Sequence, residues 1–326
     1  MRRFPTLMFW ITLIALQGSV ASFAQTPAGF PSRPVSVLTP YPAGAATDIE
    51  TRLYTQKLGE IMHTTFIVDA RLGAGGIVAI EGTMKAAPDG YTLMATTPSF
   101  TVLPYVNDNA HYDPVKDFAP VSMMSKTPVI LCVNPALPVK TVAEYIAFAK
   151  AHPGQLNFGT SGPGGLIHLG GAWLHAATNT QATFIHYKGS GPMQTDLVEN
   201  RLQVSSSSPL AMMPLIKAGK LRAIGVTTAE RSKLYPDIPS IGETVPGYDY
   251  SFWVGFLAPA ATPAAVVNAL SAGFNQVAKA PEIAKKMAEV SAETIGSTPA
   301  QFRQMLTTEA SNWRKVVQEN GIKATE

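Results

Sequence analysis

The sequence predicts an α/β fold in which mainly parallel sheets are flanked by helices. Short runs of β-forming residues alternate with helical patterns along most of the chain. Such alternation is typical of parallel strands, because each crossover helix returns the chain to the same end of the sheet. The chain has 326 residues, whereas a single hydrophobic core stops growing at roughly 250–300 residues. We therefore expect a second core that begins near residue 125.

The first part of the chain contains repeated strand–turn–helix units. Strands are predicted at residues 35–38, 66–68 and 91–96. The turn after the first strand leads into a helix with Thr47 or Asp48 at its N-cap. The spacing of apolar residues places one face of that helix in the core, namely Ile49, Leu53, Leu58 and Ile61.

The second part of the chain repeats the same pattern and then becomes helical. Further strands are predicted at residues 129–133, 156–158, 183–187, 223–227 and 252–257. Thr141 and Glu144 have the spacing of a capping box and predict a helix start. From residue 262 onward the pattern is helical, with starts at Thr262 and Thr298, each followed by proline.

Composition excludes several functional classes. Lys+Arg total 25 and Asp+Glu total 22, so the chain has no basic field that would hold nucleic acid or an anionic membrane. The single cysteine, Cys132, excludes an intrachain disulfide and any C-x-x-C motif, and we expect it to be a small buried residue. The six histidines form no H-E-x-x-H motif, and His168 and His175 are interpreted as packing or pocket-lining residues. We expect neither a metal site nor a cofactor.

The N-terminus has the pattern of a secretory signal. Arg2 and Arg3 precede an apolar stretch at residues 7–16, and small residues suited to cleavage end at Ala24, with a competing site at Ala21. The apolar stretch is shorter than the roughly 20 residues that span a bilayer. No cysteine follows it, which argues against a lipid anchor. The sequence predicts that residues 1–24 are removed and that the mature protein is periplasmic.

Three glycine-rich turns are the best candidates for a binding site. They lie between a predicted strand and a helix, at residues 41–48, 159–165 and 187–192. Glycine lets the backbone approach a ligand, and the start of the next helix offers free N–H groups. Ligands of open α/β sheets bind outside the carboxyl ends of the strands, where these turns lie. The turns therefore predict an anion pocket with neutral donors, although each alone could be an ordinary connection.

The sequence gives weak support to an enzyme. Residues 159–163 read G-T-S-G-P, so they do not form the G-x-S-x-G elbow of α/β-hydrolases. A secreted serine hydrolase for a small ester or amide, using Ser161 or a residue of the run 205–208, remains as the alternative. It would need a base and an acid at recognisable spacing, which the sequence does not provide. An orphan scaffold without a ligand is a third reading.

Ten short motifs occur in one order along the mature chain. They are PSRPV at 31–35, YPAGAATD at 41–48, GAGG at 73–76, APDGYTL at 87–93, KDFAPV at 116–121, AKAHPG at 149–154, GTSG at 159–162 with HL at 168–169, HYKG at 186–189, AGKLRA at 218–223 and PDIPS at 236–240. Together they resemble the extracytoplasmic solute receptors of the tripartite tricarboxylate transporter family, also called Bug receptors. No single motif decides this resemblance, but ten in register are specific.

The resemblance implies a type II periplasmic-binding fold, with two α/β lobes that close on a ligand. Lobe one would comprise residues 25–125 and 250–326, and lobe two residues 126–249. Members of the family hold a ligand carboxylate with backbone amides, hydroxyls and bridging water. The chain would thus be a non-catalytic receptor, expected to be a monomer, that takes a small organic carboxylate to an inner-membrane permease or a sensor.

The resemblance also implies ligand-binding positions in both lobes. In lobe one these are Tyr41, Gly44, Ala45, Thr47, Asp48, Thr97 and Ser99. In lobe two they are Thr160, Ser161, Gly162, Gly164, His168, Tyr187, Lys188 and Gly189. The chain departs from the family pattern at Ala45–Ala46, at His186 and in the run 205–208, so its pocket is expected to be unusual.

Overall fold

The computed structural model describes residues 29–322. The predicted signal, residues 1–24, lies outside the described residues. The described chain contains eleven strands: β1 (Val35–Thr39), β2 (Phe66–Ala70), β3 (Thr92–Thr96), β4 (Phe118–Thr127), β5 (Ile130–Val133), β6 (Asn157–Thr160), β7 (Thr183–His186), β8 (Val204–Ser207), β9 (Arg222–Val226), β10 (Phe252–Pro259) and β11 (Glu293–Thr294).

Ten α-helices accompany these strands in the described chain: α1 (Ala46–Met62), α2 (Ile77–Met84), α3 (Ser99–Val106), α4 (Val142–Ala151), α5 (Leu166–Thr178), α6 (Ser190–Val198), α7 (Pro209–Lys217), α8 (Ala264–Lys279), α9 (Pro281–Glu289) and α10 (Pro299–Asn320). The prediction of helix starts at Thr141 and Thr298 is confirmed, because both hydroxyls accept a hydrogen bond from a first-turn amide.

The strands form two separate sheets. The first has the order β11-β4-β10-β3-β1-β2, and the second has the order β7-β6-β8-β5-β9. Parallel ladders join β2, β1 and β3 in the first sheet and β7, β6 and β8 in the second. Helices flank both sheets. The predicted α/β fold with two sheets flanked by helices is confirmed, and both sheets are mixed, with four parallel and five antiparallel ladders among the described strands.

Strands β5 and β10 run antiparallel to their neighbours for a reason of topology. Each of these strands is the first that the chain forms after it has crossed from one sheet to the other. A strand that enters a sheet where the others end must run in the opposite direction. The carboxyl ends of the remaining long strands therefore lie near the two crossings.

The two crossings are hydrogen-bonded to each other. The Thr227 hydroxyl accepts from the Val129 amide at 3.2 Å and donates to the Tyr250 carbonyl at 2.8 Å. The Thr227 backbone bonds to the same two residues, from its amide to the Val129 carbonyl and from the Tyr250 amide to its own carbonyl. Thr227 is buried. The two connections between the sheets therefore lie side by side and are joined through Thr227.

Helix α1 buries most of the predicted face, since Leu58 is buried and Leu53 and Ile61 pack against the core. It begins at Ala46, with Ala45 in an extended conformation at the N-cap, so the predicted cap at Thr47 or Asp48 is wrong. Ile49 was expected in the core but is 59% exposed. The buried positions besides Asp48 follow one helical stripe, namely Thr51, Tyr54, Thr55 and Leu58.

The C-terminal helix contacts elements of both sheets. Helix α10 packs on α3 and β4 of the first sheet and on α5 beside the second. Trp313 is fully buried and lies edge-on to Trp173 and Tyr250. Along residues 29–322, no helix is long and apolar enough to cross a bilayer.

Candidate functional site

The two sheets contribute residues to one cavity of about 640 Å³. We call the carboxyl ends of β1 and β3, with the turns that follow them, the first edge. The carboxyl ends of β6, β7 and β8, with their turns, are the second edge. Thr47 and Thr97 line the cavity from the first edge, and Ser208 lines it from the second. The cavity therefore lies where the topology of open α/β sheets favours a ligand.

Three hydroxyls cluster at the first edge. The Tyr41 hydroxyl bonds to the Thr97 hydroxyl and, at 2.9 Å, to the Ser99 hydroxyl. The Thr97 and Ser99 oxygens are 3.3 Å apart. Two stretches far apart in the sequence are thus brought together as predicted neighbours, and their hydroxyls can each donate to or accept from a ligand.

Asp48 shapes the turn at the first edge. Its carboxylate, 2% exposed, accepts from the Gly44 amide at 2.9 Å and from Arg52 Nε at 3.0 Å. The Arg52 hydrogen bond, followed by that from Gly44, holds the pKa of Asp48 below its usual range against the opposing effect of burial. Gly44 has a φ of +83°, which glycine adopts without strain. Gly44, Ala45, Thr47 and Asp48 therefore form one closed turn at the start of α1.

The second edge is built from glycines and the hydroxyl of Thr160. Gly162 has a φ of +149° and Gly164 a φ of +68°. A Cβ added at Gly162 would meet no atom within 4 Å, so the space beside this glycine is open. The buried Thr160 hydroxyl lies 3.4 Å from the Gly162 amide nitrogen. Ser161, half-buried, completes the turn before α5 begins at Leu166.

Two histidines meet at the second edge. The rings of His168 and His186 are 4.6 Å apart in an edge-to-face arrangement. His168 Nδ1 accepts from the Gly164 amide at 3.0 Å, which places the proton of a neutral ring on Nε2. Burial, with a smaller effect from His186, lowers the pKa of His168 to about 4. His186 is exposed, and its Nδ1 lies 2.7 Å from the Thr160 hydroxyl.

The turn after β7 carries one cation at the surface. Lys188 is exposed, and Gly189 has a φ of +106° at the N-cap of α6. The Tyr187 side chain takes part in a hydrogen-bond network. Its hydroxyl donates to Asp196 at 2.6 Å, and Arg201 bonds to the same carboxylate. Burial and Asp196 raise the pKa of Tyr187 to about 12. In this conformation the Tyr187 hydroxyl is therefore used within the fold.

The cavity also contains residues that the sequence did not single out. Glu50, Ser125 and Phe252 line it, together with Lys286 and the end of α9. Ile49 was assigned to the core on helical spacing, yet its side chain faces this cavity. The signal available in the sequence was the width of the apolar face of α1. A face wider than the buried stripe leaves some of its residues outside the core.

In the part of the chain that the structure describes, the serines that a hydrolase would use are not hydrogen-bonded to a histidine. The Ser205 hydroxyl is buried and donates to the Gly159 carbonyl at 2.8 Å. Within residues 29–322, no hydrogen bond joins Ser161 or Ser205 to an imidazole, and the nearby His186 bonds to Thr160 instead. The same part of the chain holds no group of three acidic, histidine or cysteine side chains placed to bind a metal. Nothing in this geometry supports a serine nucleophile.

The chain is similar to known receptors over nearly its whole length. It is 30% identical over 301 residues to protein BugT of Bordetella pertussis, covering 90% of this chain and 91% of that protein. A solved structure described as Rpa4515 of R. palustris with adipate is 32% identical, with a TM-score of 0.69, over 91% of this chain and all of that one. MatC of Rhodopseudomonas palustris, with bound malate, is 27% identical, with a TM-score of 0.67, over 88% of this chain and all of that one.

These similarities agree with the match of a whole family. Residues 51–322 match the tripartite tricarboxylate transporter family receptor. The family consists of periplasmic solute receptors rather than enzymes, and solved neighbours include the periplasmic binding protein BugD. The predicted resemblance is confirmed, and the chain belongs to the tripartite tricarboxylate transporter family of receptors.

Proposed function

We propose that the protein captures a small organic carboxylate between the first and second edges and does not transform it. The observation that carries this proposal is a cavity to which both sheets contribute, at the carboxyl ends of their strands. Glycines with positive φ at the second edge leave room for close backbone approach. The two similar receptors described with adipate and malate hold ligands of this chemical class.

The ligand contacts would come from both edges. At the first edge we assign them to the turn around Gly44, Ala45, Thr47 and Asp48 and to the hydroxyls of Tyr41, Thr97 and Ser99. At the second edge we assign them to Thr160, Ser161, Gly162, Gly164, His168, Tyr187, Lys188 and Gly189. Backbone amides and hydroxyls dominate this set, which suits a carboxylate that is held without a buried ion pair.

Closure of two lobes would complete the site. Residues 25–125 with 250–326 would form one lobe and residues 126–249 the other, hinged at the paired crossings near Thr227 and Tyr250. Such hinges bend at a few residues at the ends of elements. Small-angle scattering should show a smaller radius of gyration when adipate saturates the protein. An unchanged radius at saturation would contradict closure.

Export would place this receptor where it meets its ligand. We propose that cleavage after Ala24 releases a mature protein that begins at Gln25 in the periplasm and delivers its ligand to an inner-membrane permease or a sensor. The intact mass of the secreted protein tests the cleavage. A product that retains Arg2 and Arg3 would refute it.

Binding without turnover is the direct test of the proposed function. Isothermal titration with malate and adipate should give saturable binding with one site per chain. The acid should then be recovered unchanged after prolonged incubation with the protein. Conversion of an added ester or amide, abolished by replacing Ser161 with alanine, would instead favour the hydrolase.

A further inference from the structure

Half of the large hydrophobic side chains that are exposed among the described residues line this cavity. Eight large hydrophobic side chains are exposed among the described residues, and four of them line this one cavity. The four come from α1, α7, β10 and the end of α9: Ile49, Leu210, Phe252 and Val290. Contiguous exposed apolar surface of this kind marks a binding site. A ligand that fills the cavity must therefore carry an apolar portion.

Glu50 is an acid in the wall of the same cavity. Glu50 lines the cavity, and its Oε2 accepts a hydrogen bond from the Ser125 hydroxyl at 2.9 Å. Its other oxygen has no hydrogen bond within residues 29–322 and is free to accept one from a ligand. No ion pair joins Glu50 to a basic side chain within residues 29–322. Burial raises the pKa of Glu50, and the Ser125 hydrogen bond opposes that effect.

The other charges in the cavity do not supply that partner. Lys286 and Glu289 also line it, one turn apart on α9 and opposite in sign. With Glu50 included, the cavity walls carry two acids and one base. A second carboxylate would therefore be repelled in this part of the cavity, whereas a cation or a hydrogen-bond donor would be attracted.

The second edge has the opposite character. Its exposed charged side chain is Lys188, and beside it lie the imidazole of His186 and the turn of positive-φ glycines. The exposed charge of the second edge is thus positive, whereas the charged side chains that line the cavity carry a net negative charge. A ligand with a carboxylate at one end and a cation at the other would match both.

We propose that the ligand is an amino carboxylate whose apolar spacer lies in this cavity and whose protonated nitrogen binds Glu50. This inference rests on the proposed carboxylate receptor and adds the second recognition element. Thr47 and Glu50 are three residues apart on α1, a spacing that places side chains roughly 5–6 Å apart. A carboxylate held between the edges beside the Thr47 side chain therefore needs a spacer of only a few methylenes to bring its nitrogen to Glu50.

Titration with acids of matched length tests the inference. The amino acids 4-aminobutyrate, 5-aminopentanoate and 6-aminohexanoate are each compared with the dicarboxylate of the same chain length, namely succinate, glutarate and adipate. We expect at least one amino acid to bind about tenfold to a hundredfold more tightly than its dicarboxylate, as a hydrogen bond between charged groups allows.

Glu50→Gln identifies the residue responsible. It keeps the shape and the bond to Ser125 but removes the charge, so the preference for the amino acid should disappear while folding persists. Glu60→Gln on the same helix is the matched control, because Glu60 is exposed and lies outside the cavity. We expect it to retain the preference.

The outcomes separate this inference from the function beneath it. Failure of all three amino acids to bind, or a preference that survives in Glu50→Gln, overturns the amino carboxylate assignment. Binding of succinate, glutarate or adipate in the same titrations would leave the carboxylate receptor standing. If no acid of any class binds, the proposed function fails together with the inference.

Discussion

The two edges that face the cavity are built in different ways. The first edge is closed on itself, because Asp48 bonds to Gly44 and Arg52 and the hydroxyl of Tyr41 bonds to that of Thr97. The second edge is more open. Gly162 and Gly189 have positive φ, and an added Cβ would meet no atom within 4 Å at either position.

We infer from this difference that the two edges have distinct roles in ligand binding. A turn whose polar groups already bond to each other is rigid and presents a fixed surface, which suits recognition of a ligand's shape. A turn of glycines beside Lys188 and His186 offers open backbone and positive charge, which suits capture of a carboxylate. The predictions below test this division, beginning with the largest effect.

Replacing Gly162 by alanine should cause the largest loss of binding. The added methyl group would occupy the open space where a carboxylate approaches the backbone, and we expect adipate affinity to fall at least about tenfold. Gly154→Ala is the control, because Gly154 also has a positive φ and open space around its Cβ but lies in the turn before β6.

Both glycine variants should lose stability by a similar amount, about 1–3 kcal/mol, because alanine is strained at positive φ. Thermal melts measure that common cost, and isothermal titration measures the affinity. Equal affinity in the two variants would show that the second edge does not touch the ligand.

Asp48→Asn should destabilise the first edge. The variant loses the negative charge that accepts two hydrogen bonds in a buried position, at a cost of about 1.5–3 kcal/mol at pH 7. Because the folded-state pKa of Asp48 is lowered, its stabilisation is present above the unfolded pKa near 4 and is lost as pH falls through the folded value.

Urea unfolding at pH 7 and below pH 4 should therefore show a gap between wild type and Asp48→Asn that closes in acid. Asp69→Asn provides the comparison, since Asp69 forms an exposed pair with Arg71 that should contribute less than about 1 kcal/mol. A gap that persists unchanged below pH 4 would mean that the charge of Asp48 is unimportant to the turn.

Lys188→Ala should have the smallest effect. Lys188 is exposed, so it attracts the anion through solvent rather than holding it, and the loss should be about twofold to threefold at low salt. The difference from wild type should vanish at roughly 0.5 M salt, where screening is strong. Abolished binding at both salt concentrations would mean that a direct charge pair holds the carboxylate.

The sequence predicted features that depend on local pattern. Strands such as β1 and β3, the glycine turns and the helix start at Thr298 follow from nearest neighbours, and all are present. Strand β4 was missed because Pro120 and Ser122 interrupt its apolar pattern, although it pairs with β10 along its length. Its position depends on a partner more than 100 residues away, which no local pattern reveals.

The same limit applies to the cavity. Ser125 and Glu50 are joined by a hydrogen bond across 75 residues, and Lys286 approaches from a helix still further along the chain. Helical spacing placed Ile49 in the core because periodicity cannot distinguish the core from an apolar cavity wall. Residues of the edges were predictable from motifs, while the walls between them required the tertiary structure.

Selective ¹⁵N-glycine labelling tests most directly the claim that both edges hold one carboxylate. On titration with adipate, we expect the amide signals of Gly44 at the first edge and of Gly162, Gly164 and Gly189 at the second to shift. These shifts should follow a single binding curve, while the remote Gly154 and Gly219 stay in place. Shifts confined to one edge, or to the remote glycines, would contradict a site formed by the two edges together.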